Sequence, residues 1–524
     1  MKTNNLFSII KHNIATNLVI KGTLILTIAG FSTRIIGFYN RIFLSELIGA
    51  TQIGIYQLIL PLYMVAFAFT NYGNELALTK LVSEYKNRND FGTIHIFFKI
   101  CFSANLILGL LFGFVMYINA EWICLHILKA PECANCIRII SFSVPFMAMK
   151  GAIHGYFLGL EKSGIHAISD LLEQIFKILS LFLLSTYICI QNSYDADFAL
   201  WGVVIGDICA FLYSFLTLVH DKHINRKTYA NTPHPIYLRQ GITLFFRNAI
   251  PFTTNRLALT VLQSIESIMI PSVLILYYKD SNASLSHYGI FTGMAFPFIM
   301  FPSTITNALS TVLLPAVSSA KSSLKKNYLS SLCEKSLHFC LLIGLFSFIT
   351  FYIYGNDIGV LFFQNKEAGI YLYRLSFLCP LIYLATTLAS ILNGLGHATY
   401  NLILTVCATI IRISFIQLTI PQFGLTGYLI GLFVSYLFLT FACLYQIQKQ
   451  IDFNLYFLES IFLPGCIFTI LGTVSFYLYR KLLSNIANGG MQQITLLIAT
   501  IAIFGIVSIP PFVKFIYKVQ RQPR

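Results

Sequence analysis

Two arginines interrupt the apolar stretch Lys21–Ala50, KGTLILTIAGFSTRIIGFYNRIFLSELIGA, with Arg34 near its middle and Arg41 seven residues on. Seven residues turn an α-helix through about 700°, within about 20° of two full turns. Thr27, Gly30, Arg34, Gly37 and Arg41 therefore fall on one helix face. An arginine at mid-bilayer costs about 2.5–3.5 kcal/mol on insertion scales, so this face is expected to line a water-filled cleft. Guanidinium forks match phosphate oxygens in pairs. The chemistry implied is a non-covalent grip on a phosphate-bearing anion, with no catalytic residue and no metal ligand.

Other charges are embedded in apolar runs. Arg256 and Arg412 are expected to supplement Arg34 and Arg41 at the phosphate-bearing anion. Lys177 has Glu173 four residues before it, the spacing of a helical ion pair, and Glu266 offers Arg256 an acid ten residues away. Glu173, Lys177 and Glu266 thus read either as ion-coupling residues or as structural pairs. The embedded acids Asp170, Glu173, Asp207 and Glu266 keep open a second function, cation-coupled drug export.

The elements that position these residues are set by composition. Of 524 residues, 56% are hydrophobic and 10% charged, against about 25% charged in soluble domains. Lipid must be the solvent for most of the chain. Apolar runs long enough to cross a bilayer as helices number about fourteen, the first at 22–45 and the last at 491–515. The expected fold is all-α and polytopic. The net charge of +15 fits loops that face an anionic leaflet, and no nucleic-acid-binding motif is present. Loop Lys and Arg divide roughly three to one between the two sides, which places both termini in the cytoplasm under the positive-inside rule. No outer loop is large enough to carry a glycan polymerase site. The N-terminal run lacks a cleavage-site pattern and is not expected to be a signal peptide.

The halves repeat in register. IGIY at 53 matches YGIF at 288, SFSVP at 141 matches SFLCP at 376, and Gly159–Leu160 matches Gly394–Leu395, each at an offset of 235 (288 − 53 = 376 − 141 = 394 − 159). Lys177 falls opposite Arg412 at the same offset. Arg412 has Ala408 where Lys177 has Glu173. GVVIG at 202 pairs with GYLIG at 427, an offset of 225, as a shorter outer loop requires. Six spans per copy give a parallel repeat about an axis along the membrane normal. The organisation expected is an N-lobe over 1–220, a cytoplasmic linker over 221–248, a C-lobe over 249–450, and two further helices with a tail over 451–524. Two such bundles create a cleft and rock against each other.

Some features read as structural. Gly151, Gly155 and Gly159 form small-xxx-small steps for close helix packing. His154, His166 and His397 read as loop-end or interfacial residues. Cys133 and Cys136 in PECANC are open to an external disulfide or to free thiols, and Asp195/Asp197 in YDADF lie on a short outer loop.

KGTLILTIAGFSTRIIGFYNR, IGIYQLILPLY, LALTKLVSEY, LLEQIFKI, YGIFTGMAFPFIMFPSTITNALSTVLLPAVSSA and ILNGLGHA together resemble the sporulation branch of the multidrug/oligosaccharidyl-lipid/polysaccharide exporter superfamily. The resemblance covers most of the chain. It implies two six-helix lobes, a cationic central cavity, and two extra helices that guide a lipid tail. It implies a flippase for an undecaprenyl-pyrophosphate-linked peptidoglycan or oligosaccharide precursor, serving spore cortex or cell wall synthesis. Transport would need no cofactor and would be driven by the membrane potential or an ion gradient. The partners implied are the lipid-linked glycan, membrane lipids and the cell-wall or cortex machinery. The superfamily's lipid II flippases space their first-helix arginines R-x-x-G-x-x-R and carry an arginine before the Phe-Pro of the eighth span. Here Arg34 and Arg41 are one residue further apart, and Thr292 stands at the latter position.

Overall fold

Apolar segments in lipid must satisfy their backbone groups internally, and helices do so within each segment. Every element among the described residues is accordingly helical. The computed structural model describes residues 18–187, 195–224, 236–322, 326–451, 461–484 and 490–521. Residues 225–235 of the expected linker, with Arg226 and Lys227, lie outside that set. The principal helices are α1 (Leu18–Phe67), α2 (Gly73–Lys86), α3 (Phe91–Ile118), α4 (Ala134–Ser141), α5 (Ser143–Gly159), α6 (Ser163–Tyr187), α7 (Ala196–Ile224) and α8 (Leu238–Tyr278). They continue as α9 (Ser281–Gly289), α10 (Phe296–Met300), α11 (Ser303–Ser322), α12 (Lys326–Phe363), α13 (Lys366–Leu375), α14 (Cys379–Gly394), α15 (Ala398–Phe423), α16 (Leu425–Gln448), α17 (Leu463–Leu483) and α18 (Gly490–Arg521).

By length and apolarity, ten helices among the described residues can cross a membrane, or twelve when each of two bent pairs counts as one span. The expected fourteen are not reached on those criteria, for two physical reasons. The continuous run Ile28–Lys86 counts once, although 59 residues would extend about 88 Å as a straight helix, roughly three bilayer cores. It is broken at Gly49, whose φ of 74° is strained for any residue with a Cβ. Helix α6 does not qualify because Asp170, Glu173 and Lys177 interrupt its apolar character.

Contacts divide the chain into two units. The first holds the described residues up to Ile48 and Ile55–Ile268; the second holds Gly49–Gly54 and Met269 onwards. The boundary falls inside α8 and not before residue 249, so Arg256 and Glu266 belong with the first unit. The cause is packing of α8 on α1 and α2. A Cβ on Gly73 would lie 2.8 Å from the Ala249 carbonyl. The Ser264 hydroxyl donates to the Pro61 carbonyl at 3.1 Å, and Phe245 and Ala249 enter the apolar cluster around Leu78, Phe97 and Tyr156.

The internal repeat holds at atomic detail. A Cβ on Gly109 would lie 3.0 Å from the Pro145 Cα, and one on Gly344 would lie 2.6 Å from the Pro380 Cα. Lys86 donates to the Leu160 carbonyl at 3.2 Å, and Lys321 to the Leu395 carbonyl at 2.6 Å. At Gly159 a Cβ would meet Val82 Cβ at 2.6 Å and the Thr79 carbonyl at 2.8 Å. At Gly394 it would meet Val317 Cβ and the Leu314 carbonyl, both at 2.9 Å. Every residue in the second contact of each pair is the first plus 235. Backbone and β-branched neighbours cannot move aside cheaply, and overpacking typically costs about 1–3 kcal/mol. Gly159→Ala and Gly394→Ala are therefore expected to destabilise to a similar extent, read as matched drops in thermal unfolding temperature of the detergent-solubilised protein.

Helices α17 and α18 pack on α12. Phe468 and Phe504 join Leu342, Leu345 and Ile349, and the Phe346 and Phe504 rings stack at 4.8 Å. Tyr354 donates to Ser475 at 2.9 Å, which donates to the Thr500 carbonyl at 3.2 Å. Arg480 pairs with Asp357 at 3.1 Å.

Candidate functional site: an arginine face and a buried charge network

Helix α1 presents its arginines away from its row of large exposed apolar side chains. The large exposed apolar side chains Ile28, Phe31, Ile35 and Tyr39 follow helical spacing down one side. At 100° per residue, Arg34 and Arg41 are displaced from the centre of that row by roughly 100–125°. Gly37, on the arginine side, is 3.6 Å by its notional Cβ from the amide oxygen of Gln174 on α6, and Gly30 faces open space. Both arginines are exposed. Neither forms a hydrogen bond or ion pair among the described residues.

Next to this face the first unit contains a cavity of about 440 Å³, lined by Thr33 of α1 and by residues of α2, α5, α6 and α7. The ladder of glycines on α5 brings α2 close enough to build it. Notional Cβ atoms on Gly151 and Gly155 would collide with the Asn71 side chain and the Glu75 carbonyl. Close packing is thus what these glycines provide, and it sets Glu75 on the cavity wall.

The strongest electrostatic feature is a lysine that sequence reasoning missed. Lys150 on α5 is 8% exposed. Its ammonium lies 2.5 Å from Glu173 on α6 and 3.1 Å from Asp207 on α7. Tyr63 donates to Asp207 at 2.6 Å and Ser143 also donates to it. Glu173 and Lys177 do meet, but at 3.8 Å, so Lys177 is the secondary partner. A charge in a span needs a partner, and the i±4 positions of Lys150 hold only Phe146 and His154. The partners sit 23 and 57 residues away on other helices.

The repeat carries a usable signal for this network. At the offset of 235, Lys150, Glu173, Tyr63 and Ser143 correspond to Ala385, Ala408, Phe298 and Leu378, and at 225 Asp207 corresponds to Leu432. All five counterparts are buried. One copy carries the whole polar set and the other replaces it with apolar residues. A buried ion pair is exchanged for apolar side chains without penalty only when all its members change together.

His154 is not a loop-end residue, whereas His166 lies in the first turn of α6. His154 is 3% exposed, and its ring stacks on that of His166 at 4.2 Å. His166 Nδ1 is 3.2 Å from Asp170, and its Nε2 is 3.9 Å from Glu75. Four carboxylates (Glu75, Asp170, Glu173 and Asp207) and one lysine line this cavity, which lies within the first unit. His397 does sit at a helix start, with a ring nitrogen 2.6 Å from the Gln450 amide.

The remaining expected residues are spread. Arg256 stacks over Tyr72 at 4.9 Å, and Tyr72 lines the cavity. Its Nε has no hydrogen-bond partner among the described residues. Ten residues of helix rise, about 15 Å, separate it from the buried Glu266. Arg412 belongs to the second unit, where it donates to Thr409 at 3.0 Å and lies 5.9 Å from the Tyr436 ring. Thr292 spends its hydroxyl on the Tyr288 carbonyl at 2.7 Å. Cys133 and Cys136 are free, buried thiols. The Cys136 thiol donates to Asp197 at 2.8 Å, and Asn135 also donates to Asp197, which ties that acid to packing.

Long apolar helices, an internal repeat and a buried charge network in the first unit define a multi-pass membrane transporter fold. The chain belongs to the Polysacc_synt family, polysaccharide biosynthesis protein, whose model matches residues 19–321. It is 25% identical to Stage V sporulation protein B of Bacillus subtilis (strain 168) over 441 residues, covering 83% of this chain and 85% of that protein. It is 21% identical to Lipid II flippase MurJ of the same organism over 419 residues, covering 75% and 76%. Among solved structures, Lipid II flippase MurJ in an inward closed conformation superposes with a TM-score of 0.66 at 14% identity, covering 94% of this chain and all of that one. An inward-facing MATE family transporter of the MOP superfamily superposes at 0.61, with 14% identity and coverage of 81% and 94%. At these identities the structural likeness establishes the fold.

Proposed function

We propose that this protein is a flippase for a lipid-linked glycan precursor, carried on undecaprenyl pyrophosphate, and that it serves cell wall or spore cortex synthesis in the cytoplasmic membrane. The observation that carries the reading is the pair Arg34 and Arg41: two guanidinium groups on one helix face, turned from the lipid row and without an internal acid. Embedded arginines without a counterion call for an anionic ligand. The relative named for lipid II flipping supports this class of substrate, and the one named for sporulation supports the setting. In this reading Arg34 and Arg41 hold the pyrophosphate and Arg256 and Arg412 supplement them. The two six-span repeats alternate access, both termini are cytoplasmic, and the wall or cortex machinery receives the product. Glu173, Lys177 and Glu266 act as internal counter-charges, and the membrane potential or an ion gradient supplies the drive. No covalent step is needed.

A specific observation favours a second reading, cation-coupled drug export: the acid-lined cavity of the first unit. Lys150 already occupies Glu173 and Asp207 as a built-in cation, which weakens it. The test is leaflet accessibility of fluorescent lipid II in proteoliposomes. The flippase reading expects the inner-leaflet pool to become accessible at least 10-fold faster than in protein-free vesicles. Equal rates, together with drug sensitivity of a strain lacking the gene, would favour the exporter.

A further inference from the structure

A second cluster in the cavity is left unused by the lipid-carrier reading. We infer that Glu75, His154 and His166, with Asp170 beside them, form a binding site for a divalent transition-metal ion of the zinc class. The three principal donors come from three helices, α2, α5 and α6. One donor atom from each lies within 4.8 Å of the others. A tetrahedral zinc site with bonds of about 2.0–2.1 Å needs donors roughly 3.4 Å apart, so the donors close by at most about 1.4 Å on binding.

The surroundings prepare these side chains for a cation. Asn71 donates to Glu75 Oε2 at 3.2 Å, which leaves Oε1 on the side of His166. Ser169 donates to the Ala210 carbonyl at 3.3 Å, and Ser214 donates to Ser169 at 3.0 Å. The Ser214 oxygen is then the acceptor for His154 Nε2, 3.4 Å away. That chain holds His154 as a neutral ring with one lone pair, the form a metal requires. His166 Nδ1 is buried without a properly aligned hydrogen bond, even though Asp170 is near.

The charge balance points the same way. Lys150, one helical turn from His154 on α5, is already held by Glu173 and Asp207. Glu75 and Asp170 have no lysine or arginine partner among the described residues. Two carboxylates beside two stacked imidazoles make a donor set of nitrogen and oxygen. Imidazole suits zinc, cobalt or nickel, whereas sodium, magnesium and calcium prefer oxygen alone. The site is independent of the lipid carrier, so it can be tested without that substrate.

The experiment titrates untagged, detergent-solubilised protein with Co²⁺ and then displaces it with Zn²⁺. The expected result is one equivalent per chain, with intense visible absorption of low-coordinate Co²⁺. Affinity should fall at least 10-fold in His166→Ala and in Glu75→Gln, the latter retaining the shape that Asn71 contacts. Zn²⁺ should raise the unfolding temperature of the wild type and leave that of the double variant His154→Gln/His166→Gln unchanged. Absence of stoichiometric binding, a weak octahedral spectrum, or binding undiminished in both Glu75→Gln and the double variant would overturn the proposal. Failure here would leave the lipid II assay unaffected, and failure there would leave this titration unaffected.

Discussion

Arg34→Ala and Arg41→Ala are each expected to cut lipid II flipping in proteoliposomes by about 10–100-fold with protein abundance unchanged. The magnitude follows from a charge-assisted hydrogen bond to phosphate, worth about 1.5–3 kcal/mol. The unchanged abundance follows from the structure. Neither side chain makes an ion pair or hydrogen bond among the described residues, so truncation leaves no buried acid uncompensated. Each substitution also removes a charge from an apolar span, which favours insertion. Arg34→Lys and Arg41→Lys should fall between wild type and alanine, because lysine keeps the charge and loses the two-pronged geometry. A purely structural role predicts the opposite pattern, with reduced abundance and normal flipping per folded molecule. Normal flipping by either alanine variant would remove the pyrophosphate role.

The features legible in the sequence were those whose signal lies along the chain. Arg34 and Arg41 stood out because charge in an apolar run is expensive, and their spacing alone fixed a common face. The offset of 235 relates contacts that the structure contains in both copies, Lys86 against Leu160 and Lys321 against Leu395. What the sequence concealed was pairing across helices. Lys177 looked committed to Glu173 because i,i+4 pairs are visible, whereas Lys150, 23 residues upstream, takes that acid at 2.5 Å. His154 and His166 looked interfacial because each lies beside a glycine-rich turn or helix end, and only tertiary packing stacks them. The 221–248 linker suggested a boundary at 249. The contact boundary lies at 268/269 instead, because α8 carries small and apolar residues that fit the glycine-marked surface of α2.

The network around Lys150 supplies the other large effect. Lys150→Ala leaves Glu173 and Asp207 buried without their common cation, and breaking such a pair typically costs about 3–5 kcal/mol. Lys177 already lies 3.8 Å from Glu173 and can take up part of that charge, which places the cost toward the lower end. Asp207 has no such reserve. It keeps only the hydroxyls of Tyr63 and Ser143. The expected result is a marked loss of folded protein and a drop in unfolding temperature well beyond that of Gly159→Ala. The triple variant Lys150→Met/Glu173→Gln/Asp207→Asn should recover part of the loss, since Lys150 and both its acids lose their charge together while Lys177 is left without Glu173. The second unit makes the same exchange in sequence, with alanine, alanine and leucine at the equivalent positions. If Lys150→Ala unfolds at the wild-type temperature, the ammonium is not shared by the two acids, and the cavity loses the internal cation that weighs against drug export.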